Sequence, residues 1–125
     1  MPHPPPDVVL LATEWQPRAL LRAQLIEEGL EVVAADNWTM TRRQLRPESK
    51  PLLVIVDLQG LPAPDVVLKD LAILMRPDRV IVLTAIGTVA PAKIGALGFQ
   101  VVKRPIRLGN VVAAVVGAIR KTKSP

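Results

Sequence analysis

Five short runs of largely apolar residues are spaced along the chain. Each run holds four or five residues, which is a usual length for a strand and too short for a typical helix. Because most of the runs are continuous rather than alternating, they are typical of strands that are covered on both faces. We therefore predict strands at residues 8–11, 31–35, 52–56, 80–83 and 99–102.

The stretches between these runs carry apolar residues at helical spacing. Leu21 and Leu25, four residues apart, predict a helix over residues 18–28 that stops at Gly29. The final helix, which begins at Leu108, has the clearest pattern, because its apolar residues recur at i, i+3, i+4 and i+7. Further helices are predicted at residues 38–46, 65–75 and 92–97.

Strands that alternate with helices predict right-handed crossovers and a parallel sheet with helices on both faces. The predicted fold class is therefore α/β, as a single doubly wound sandwich. Residues 7–121 form the one predicted domain. We expect a disordered proline-rich arm at residues 1–6 and a basic tail at residues 122–125.

The composition limits the kinds of chemistry that the chain can perform. There is no cysteine among the 125 residues, which excludes disulfides, thiolate chemistry and cysteine-ligated metals. No apolar run approaches the ~20 residues of a membrane span, and the arm lacks the apolar segment of a signal peptide. We therefore expect a cytoplasmic protein without a membrane partner.

The net charge of +5 raises the question of an acidic partner or a nucleic acid. Basic residues cluster at residues 42–50, 103–107 and 120–123. No aromatic residues alternate with them as a single-strand binder requires, so solvated helix faces and a basic tail are the favoured interpretation. A basic nucleic-acid-binding regulator remains a secondary hypothesis, and nucleic acid is an unlikely partner.

Residues with chemical potential follow four of the predicted strands. Asp57 comes directly after the third strand, Thr84 after the fourth, Lys103 and Arg104 after the fifth, and Glu14 shortly after the first. In an open α/β sheet, sites form at the carboxyl ends of the strands. An aspartate, a threonine and a base at one edge suit phosphoryl chemistry, with Asp57 as nucleophile, Thr84 on a phosphoryl oxygen and the base neutralising charge.

The same segments resemble the receiver domains of bacterial two-component response regulators. Residues 18–29 resemble the first helix of that family, and residues 54–62 resemble its phosphoacceptor strand and the loop that follows. Residues 80–85 are similar to the fourth strand, and residues 103–106 lie where the family has Lys-Pro-Phe. The resemblance covers about residues 7–119.

The resemblance implies a flavodoxin-like fold whose five-stranded parallel sheet has the order 2-1-3-4-5. It also implies a reaction in which Asp57 accepts a phosphoryl group from a histidine kinase with the help of Mg²⁺. A partner-binding face then shifts. Such a domain is not an enzyme beyond its own phosphorylation and dephosphorylation at Asp57.

The metal-binding positions depart from the family pattern. Alignment on the first helix places Ala12 and Thr13 where the family has an acidic pair. Mg²⁺ needs hard oxygen ligands, usually including carboxylates, so Asp57 with a backbone carbonyl makes a poor site. Glu14 is a substitute ligand if the strand end shifts by one residue, and otherwise faces solvent. A role for Mg²⁺ is therefore doubtful.

The positions of the family's lysine and of its switching aromatic residue also depart from the family pattern. If Pro105 is the proline of the family, Arg104 takes the lysine position, whereas Lys103 faces the other side of the sheet unless a bulge turns it inward. Both assignments stay open. Arg104 is also placed to pair with Asp57 as a salt bridge across an inactive site. Val101 stands where the family has a switching aromatic residue, and Phe99 is expected in the core.

The leading hypothesis is a degenerate receiver, a signalling or interaction module with impaired metal-dependent phosphorylation. The alternative is a working receiver that is phosphorylated on Asp57 with Glu14 as substitute ligand. The partner is then a histidine kinase, an output protein or a second copy. A dimer is predicted through the fifth strand and the small-residue face of the final helix. Trp15 and Trp38 either mark a contact surface or pack against neighbouring loops.

Overall fold

Strands and helices alternate along the whole of the computed structural model, which describes residues 4–123. The strands are β1 (Val8–Leu11), β2 (Val32–Ala35), β3 (Leu53–Asp57), β4 (Val80–Leu83) and β5 (Gln100–Val102). The helices are α1 (Trp15–Glu27), α2 (Trp38–Arg43), α3 (Pro64–Leu74), α4 (Pro91–Ala96) and α5 (Leu108–Lys123). A 3-10 turn at Pro77–Arg79 leads into β4.

The five strands form one parallel sheet in the order β2-β1-β3-β4-β5. This confirms the predicted doubly wound α/β class and the strand order. Leu11 pairs with Val56, and Asp57 pairs with Leu83 on the next strand. The register therefore brings the carboxyl ends of β1, β3 and β4 close to one level, and this edge carries the chemically interesting residues.

The core lies in two layers, one on each face of the sheet. Every residue of β1, β3 and β4 is buried, as the continuous apolar runs predict. Alternate residues point to opposite faces, so Val54 and Val56 join one cluster while Ile55 joins the other. Phe99 is 4% exposed, which confirms its predicted place in the core.

Two helix boundaries differ from the sequence prediction by three residues each. α1 begins at Trp15, three residues before the predicted start, because Pro17 is tolerated in a first turn and no capping side chain marks the true start. α2 ends at Arg43 rather than at residue 46. α1 stops before Gly29, whose φ of +84° is the left-handed conformation expected of a terminating glycine.

The predicted arm and tail fall partly outside the described residues, at residues 1–3 and 124–125. α5 continues to Lys123, so residues 122 and 123 of the predicted tail lie in this helix. Among residues 4–123, no helix has both the length and the apolar character needed to cross a bilayer.

Candidate functional site

Asp57 ends β3 and is held by two hydrogen-bond donors. Its Oδ1 accepts a bond from the backbone N–H of Gln59 at 2.9 Å and another from Nη2 of Arg104 at 2.6 Å. The Asp57 side chain is 9% exposed and that of Arg104 is 29% exposed. A charge-assisted bond in such a covered place is of the stronger kind. Asp57 is therefore neutralised within the chain itself.

Arg104 connects this carboxylate to the end of the fourth strand. Its backbone N–H donates to Oγ1 of Thr84 at 3.1 Å while its side chain contacts Asp57. Thr84 is buried, and the peptide bond from Arg104 to Pro105 is cis. The structure thus brings together Asp57, Thr84 and Arg104 from three strand ends, as the sequence predicted for an edge of this sheet.

Lys103, the other candidate cation, forms no ion pair with Asp57, whose partner within residues 4–123 is Arg104. Lys103 is exposed and lines a groove beside the loop of residues 84–91, which Thr84 and Arg104 also line. The strand geometry explains the difference, since neighbouring residues at the end of β5 point to opposite sides. The sequence did not decide which of the two cations contacts Asp57. In the structure the side chain of Arg104 makes this contact.

A second arginine side chain, that of Arg18 in α1, lies over the end of β1, and the sequence analysis did not predict it. Nη1 of Arg18 donates to the carbonyl oxygen of Ala12 at 2.8 Å and to that of Thr13 at 3.2 Å. Side chains on a helix lean toward its N-terminus, so an arginine in the first turn of α1 reaches back over β1. The sequence prediction began the helix at Arg18 itself, and that error hid the direction of this side chain.

Glu14, the candidate substitute ligand, is exposed at the residue before α1. Its carboxylate makes no hydrogen bond to the backbone N–H groups of the first turn. It does line the same cavity as Asp57. The structure therefore places Glu14 on the rim of the site rather than at its floor.

A cavity of about 750 Å³ opens beside Asp57 between the start of α1 and the start of α5. Its apolar wall includes Leu83, Ile106 and Leu108. Its polar lining consists of Thr13, Glu14, Gln16, Arg18, Asp36, Asp57 and Arg104. Two buried polar atoms among these have no partner in the described part of the chain, namely Oγ1 of Thr13 and Nε of Arg104. Buried polar groups are normally hydrogen-bonded, so these two atoms call for an explanation.

The donor set at this edge does not match the requirements of Mg²⁺. Mg²⁺ prefers carboxylate and other oxygen ligands in near-octahedral geometry. Here Ala12 and Thr13 supply no carboxylate, their carbonyl oxygens bond to Arg18, and Oδ1 of Asp57 is paired with Arg104. Within residues 4–123, no three His, Cys, Asp or Glu side chains converge as a metal site.

The aromatic residues near the edge differ in exposure. Trp15 is 72% exposed, whereas Trp38 is half-buried and donates its indole N–H to Asp70 at 3.2 Å. Val101, at the position of the family's switching aromatic, is half-buried and packs against the core. Trp15 is therefore available to contact a partner, whereas Trp38 packs against the rest of the chain.

The predicted self-association surface is exposed. Its members are small residues on the outer side of α5 and two neighbouring cations: Gly109, Ala113, Gly117, Lys103 and Arg107. A Cβ atom added at either glycine would meet nothing within 4 Å. Packing within the chain therefore does not require glycine at these positions.

The sequence matches no protein-family model and no curated protein. Its structure is similar to solved receiver domains over nearly its whole length. The response regulator receiver domain protein from Clostridium thermocellum is 22% identical, with a TM-score of 0.73, and the match covers 93% of this chain and 95% of that one.

Two further structures extend this likeness. The CheY-like receiver domain protein from Methanospirillum hungatei is 15% identical with a TM-score of 0.77, over 93% of this chain and 94% of that one. The Francisella response regulator 1452 receiver domain is 16% identical with a TM-score of 0.78, over 94% of this chain and 99% of that one. The fold of this chain is therefore the receiver fold that its sequence resembles.

Proposed function

We propose that the chain is a receiver-like signalling domain of the two-component type in which metal-dependent phosphorylation of Asp57 is impaired. The observation that carries the proposal is the 2.6 Å ion pair between Asp57 and Arg104. It stands at an edge where the first strand offers no carboxylate to hold a metal.

Two physical effects oppose phosphorylation at this site. The carboxylate of Asp57 is paired with a guanidinium through Oδ1, and this pairing stabilises its negative charge and makes it a weaker nucleophile. Transfer to a carboxylate also requires positive charge between two anionic groups, which a metal ion normally supplies. Arg104 supplies one such charge, but the end of β1 adds only Ala12 and Thr13.

A domain of this kind signals by contact with another protein rather than by turnover. The proposed partners are a histidine kinase or an output protein, met in the cytoplasm. The exposed small-residue face of α5, flanked by Lys103 and Arg107, is the proposed surface for a homodimer. A chain that stays monomeric at high concentration and recovers no partner in a pull-down would count against this surface.

The second candidate function is that of a working receiver, and one observation favours it. Glu14 lines the same cavity as Asp57, and its exposed side chain is free to change rotamer. In this alternative Glu14 and Asp57 share the metal, Thr84 binds a phosphoryl oxygen and Arg104 or Lys103 provides the cation. Turnover is limited to phosphorylation and dephosphorylation of Asp57 itself.

Titration of Mg²⁺ in the presence of beryllofluoride separates the two candidates. Fluorine NMR and the fluorescence of Trp15 report binding, with Asp57→Asn as the control. We expect no saturable Mg²⁺-dependent signal in the wild-type chain. A saturable signal that disappears in Asp57→Asn would favour the working receiver, and its loss in Glu14→Gln would identify the substitute ligand.

A further inference from the structure

The edge of the sheet opposite Asp57, where the strands begin, is divided into an acidic and a basic half. The last turns of the helices also lie at this edge, since each helix runs back along the sheet from the carboxyl end of the strand before it. Beside β2 and β1, the charged residues are carboxylates: Asp7, Glu27, Glu28 and Glu31. Beside β4 and β5, most are cations: Arg76, Arg79 and Lys121, with Asp78 as the exception.

The acidic half is not explained by the stability of α1. Glu27 is the last residue of α1 and Glu28 is its C-cap, and no basic residue stands in the last turn. The C-terminal end of a helix carries partial negative charge, so carboxylates are unfavourable there. Glu27, Glu28 and Glu31 are exposed and form no ion pair with side chains of residues 4–122. Their charges are therefore not compensated within the described part of the chain.

The basic half contains a cleft of about 550 Å³ between the 3-10 turn at Pro77–Arg79 and the last turns of α5. Arg76 and Arg79 line one side of this cleft, and Lys121 lines the other. Arg76 pairs with Asp78 in an exposed position. Arg79 and Lys121 form no ion pair with side chains of residues 4–122. Positive charge therefore predominates in the cleft.

Small residues keep this cleft open and fix its shape. Ala114, Gly117 and Ala118 form its wall on α5, and a Cβ atom added at Gly117 would meet nothing within 4 Å. Across the cleft, a Cβ atom added at Gly98 would lie 2.8 Å from Cβ of Pro77. This close approach holds the turn that carries the arginines against the start of β5. The cleft is therefore open space beside guanidinium groups on a fixed turn.

We propose that this edge binds a second copy of the chain, with the acidic half of each copy against the basic cleft of the other. Charge complementarity selects a second copy, because both complementary halves belong to one edge. A two-fold axis across the edge places the acidic half of each copy opposite the basic half of its partner, so the same contact forms twice and the dimer is closed. The contact does not depend on phosphoryl chemistry at Asp57, and it differs from the small-residue face of α5.

Sedimentation equilibrium of the full chain at low and high ionic strength tests the proposal. We expect a weak dimer at low ionic strength that dissociates as salt screens the exposed charges. Two double variants each reverse one half: Glu27→Lys with Glu28→Lys, and Arg76→Glu with Arg79→Glu. Because like charges then face each other at both contacts, each variant should dimerise at least about tenfold more weakly than the wild type.

A mixture of the two double variants is the sharpest measurement. In a mixed dimer the two reversed halves face each other, and so do the two unchanged halves, which restores opposite charges at both contacts. We expect the mixture to associate about as tightly as the wild type. If both variants are folded by circular dichroism and their mixture stays monomeric, the proposal is wrong. The glutamate variant keeps the test valid if the arginine variant fails to fold, because it removes charges that oppose the dipole of α1.

The matched control for the arginine variant is Lys69→Glu with Lys93→Glu, which makes the same change in net charge at exposed positions on α3 and α4. Its dimerisation should equal that of the wild type. A wild-type chain that stays monomeric at low ionic strength, or a dimer that both charge-reversal variants retain at wild-type affinity, would overturn the proposal. A dimer that these variants retain but Ala113→Gln dissociates lies at the small-residue face of α5 instead.

Discussion

The two halves of the strand-end edge differ in the groups that they bring together. The ends of β3, β4 and β5 keep an aspartate, a threonine and a cation in direct contact through Arg104. The end of β1 has Ala12 and Thr13, and its carbonyl oxygens bond to Arg18. In each half, the guanidinium group of an arginine from the same chain bonds to oxygen atoms at the strand end. One edge of the sheet therefore combines a half in which a cation joins an aspartate and a threonine with a half in which no carboxylate stands at residues 12 and 13.

The comparison also shows that the fold does not depend on the site. β1 and β3 are equally buried along their lengths, although β1 is followed by Ala12 and Thr13 and β3 ends in Asp57. The aliphatic residues in the strands drive burial, whereas the site residues sit at the strand ends. The packing of β1 therefore does not require a carboxylate at its end.

The largest expected effect is on Mg²⁺ affinity, when carboxylates are introduced at the end of β1. In the double variant Ala12→Asp with Thr13→Asp, two carboxylates would join Asp57, and Mg²⁺ should bind at least about tenfold more tightly than to the wild type. Trp15 fluorescence during an Mg²⁺ titration measures this gain. The neutral double variant Ala12→Asn with Thr13→Asn is the control. Equal Mg²⁺ affinity in the wild type and the aspartate variant would show that the first strand is not what limits metal binding.

A smaller effect is expected from breaking the retained half. Arg104→Met removes the partner of a buried carboxylate, which should lower the free energy of unfolding by about 2 kcal/mol. This value lies below the roughly 3–5 kcal/mol of fully buried ion pairs, because the Arg104 side chain is 29% exposed and water partly replaces it. Urea denaturation measures the loss. Arg107→Met, at an exposed position, should change stability by less than about 0.5 kcal/mol.

The smallest expected effect is on the free energy of unfolding, when Arg18 is changed at the end of β1. Arg18→Met removes two bonds to carbonyl oxygens that water can partly replace, so unfolding should become easier by about 1 kcal/mol. Hydrogen exchange of the amides between Ala12 and Trp15 should accelerate as the β1–α1 loop loosens. Arg22→Met, exposed on the same helix, is the comparison. If it accelerates exchange equally, Arg18 has no special role in holding the loop.

Much of the fold was predictable from the sequence because continuous apolar runs are a strong local signal. The predicted run at residues 80–83 matches β4 residue for residue. The start of α1 was less predictable, since Glu14 does not act as a capping side chain and Pro17 stands in the first turn. That error of three residues concealed Arg18, whose contacts depend on the direction in which the helix begins.

The candidate site was predictable as a set of strand ends, but not as a set of contacts. The positions of Asp57 and Thr84 follow from the apolar runs that precede them. Whether Lys103 or Arg104 turns inward depends on the path of the chain after β5, which no local pattern records. The same holds for the side-chain direction of Glu14, which depends on how β1 meets α1.

The sequence by itself determined the strand order through its resemblance, the aliphatic core and the absence of an acidic pair at the end of β1. Only the tertiary structure decided that Arg104 bonds to both Asp57 and Thr84, and that Arg18 bonds to the carbonyl oxygens of Ala12 and Thr13. The physical reason is the separation along the sequence of the residues that interact. Burial patterns are local and repeat along each element, whereas an ion pair between residues 47 positions apart exists only after the sheet has brought their strands together.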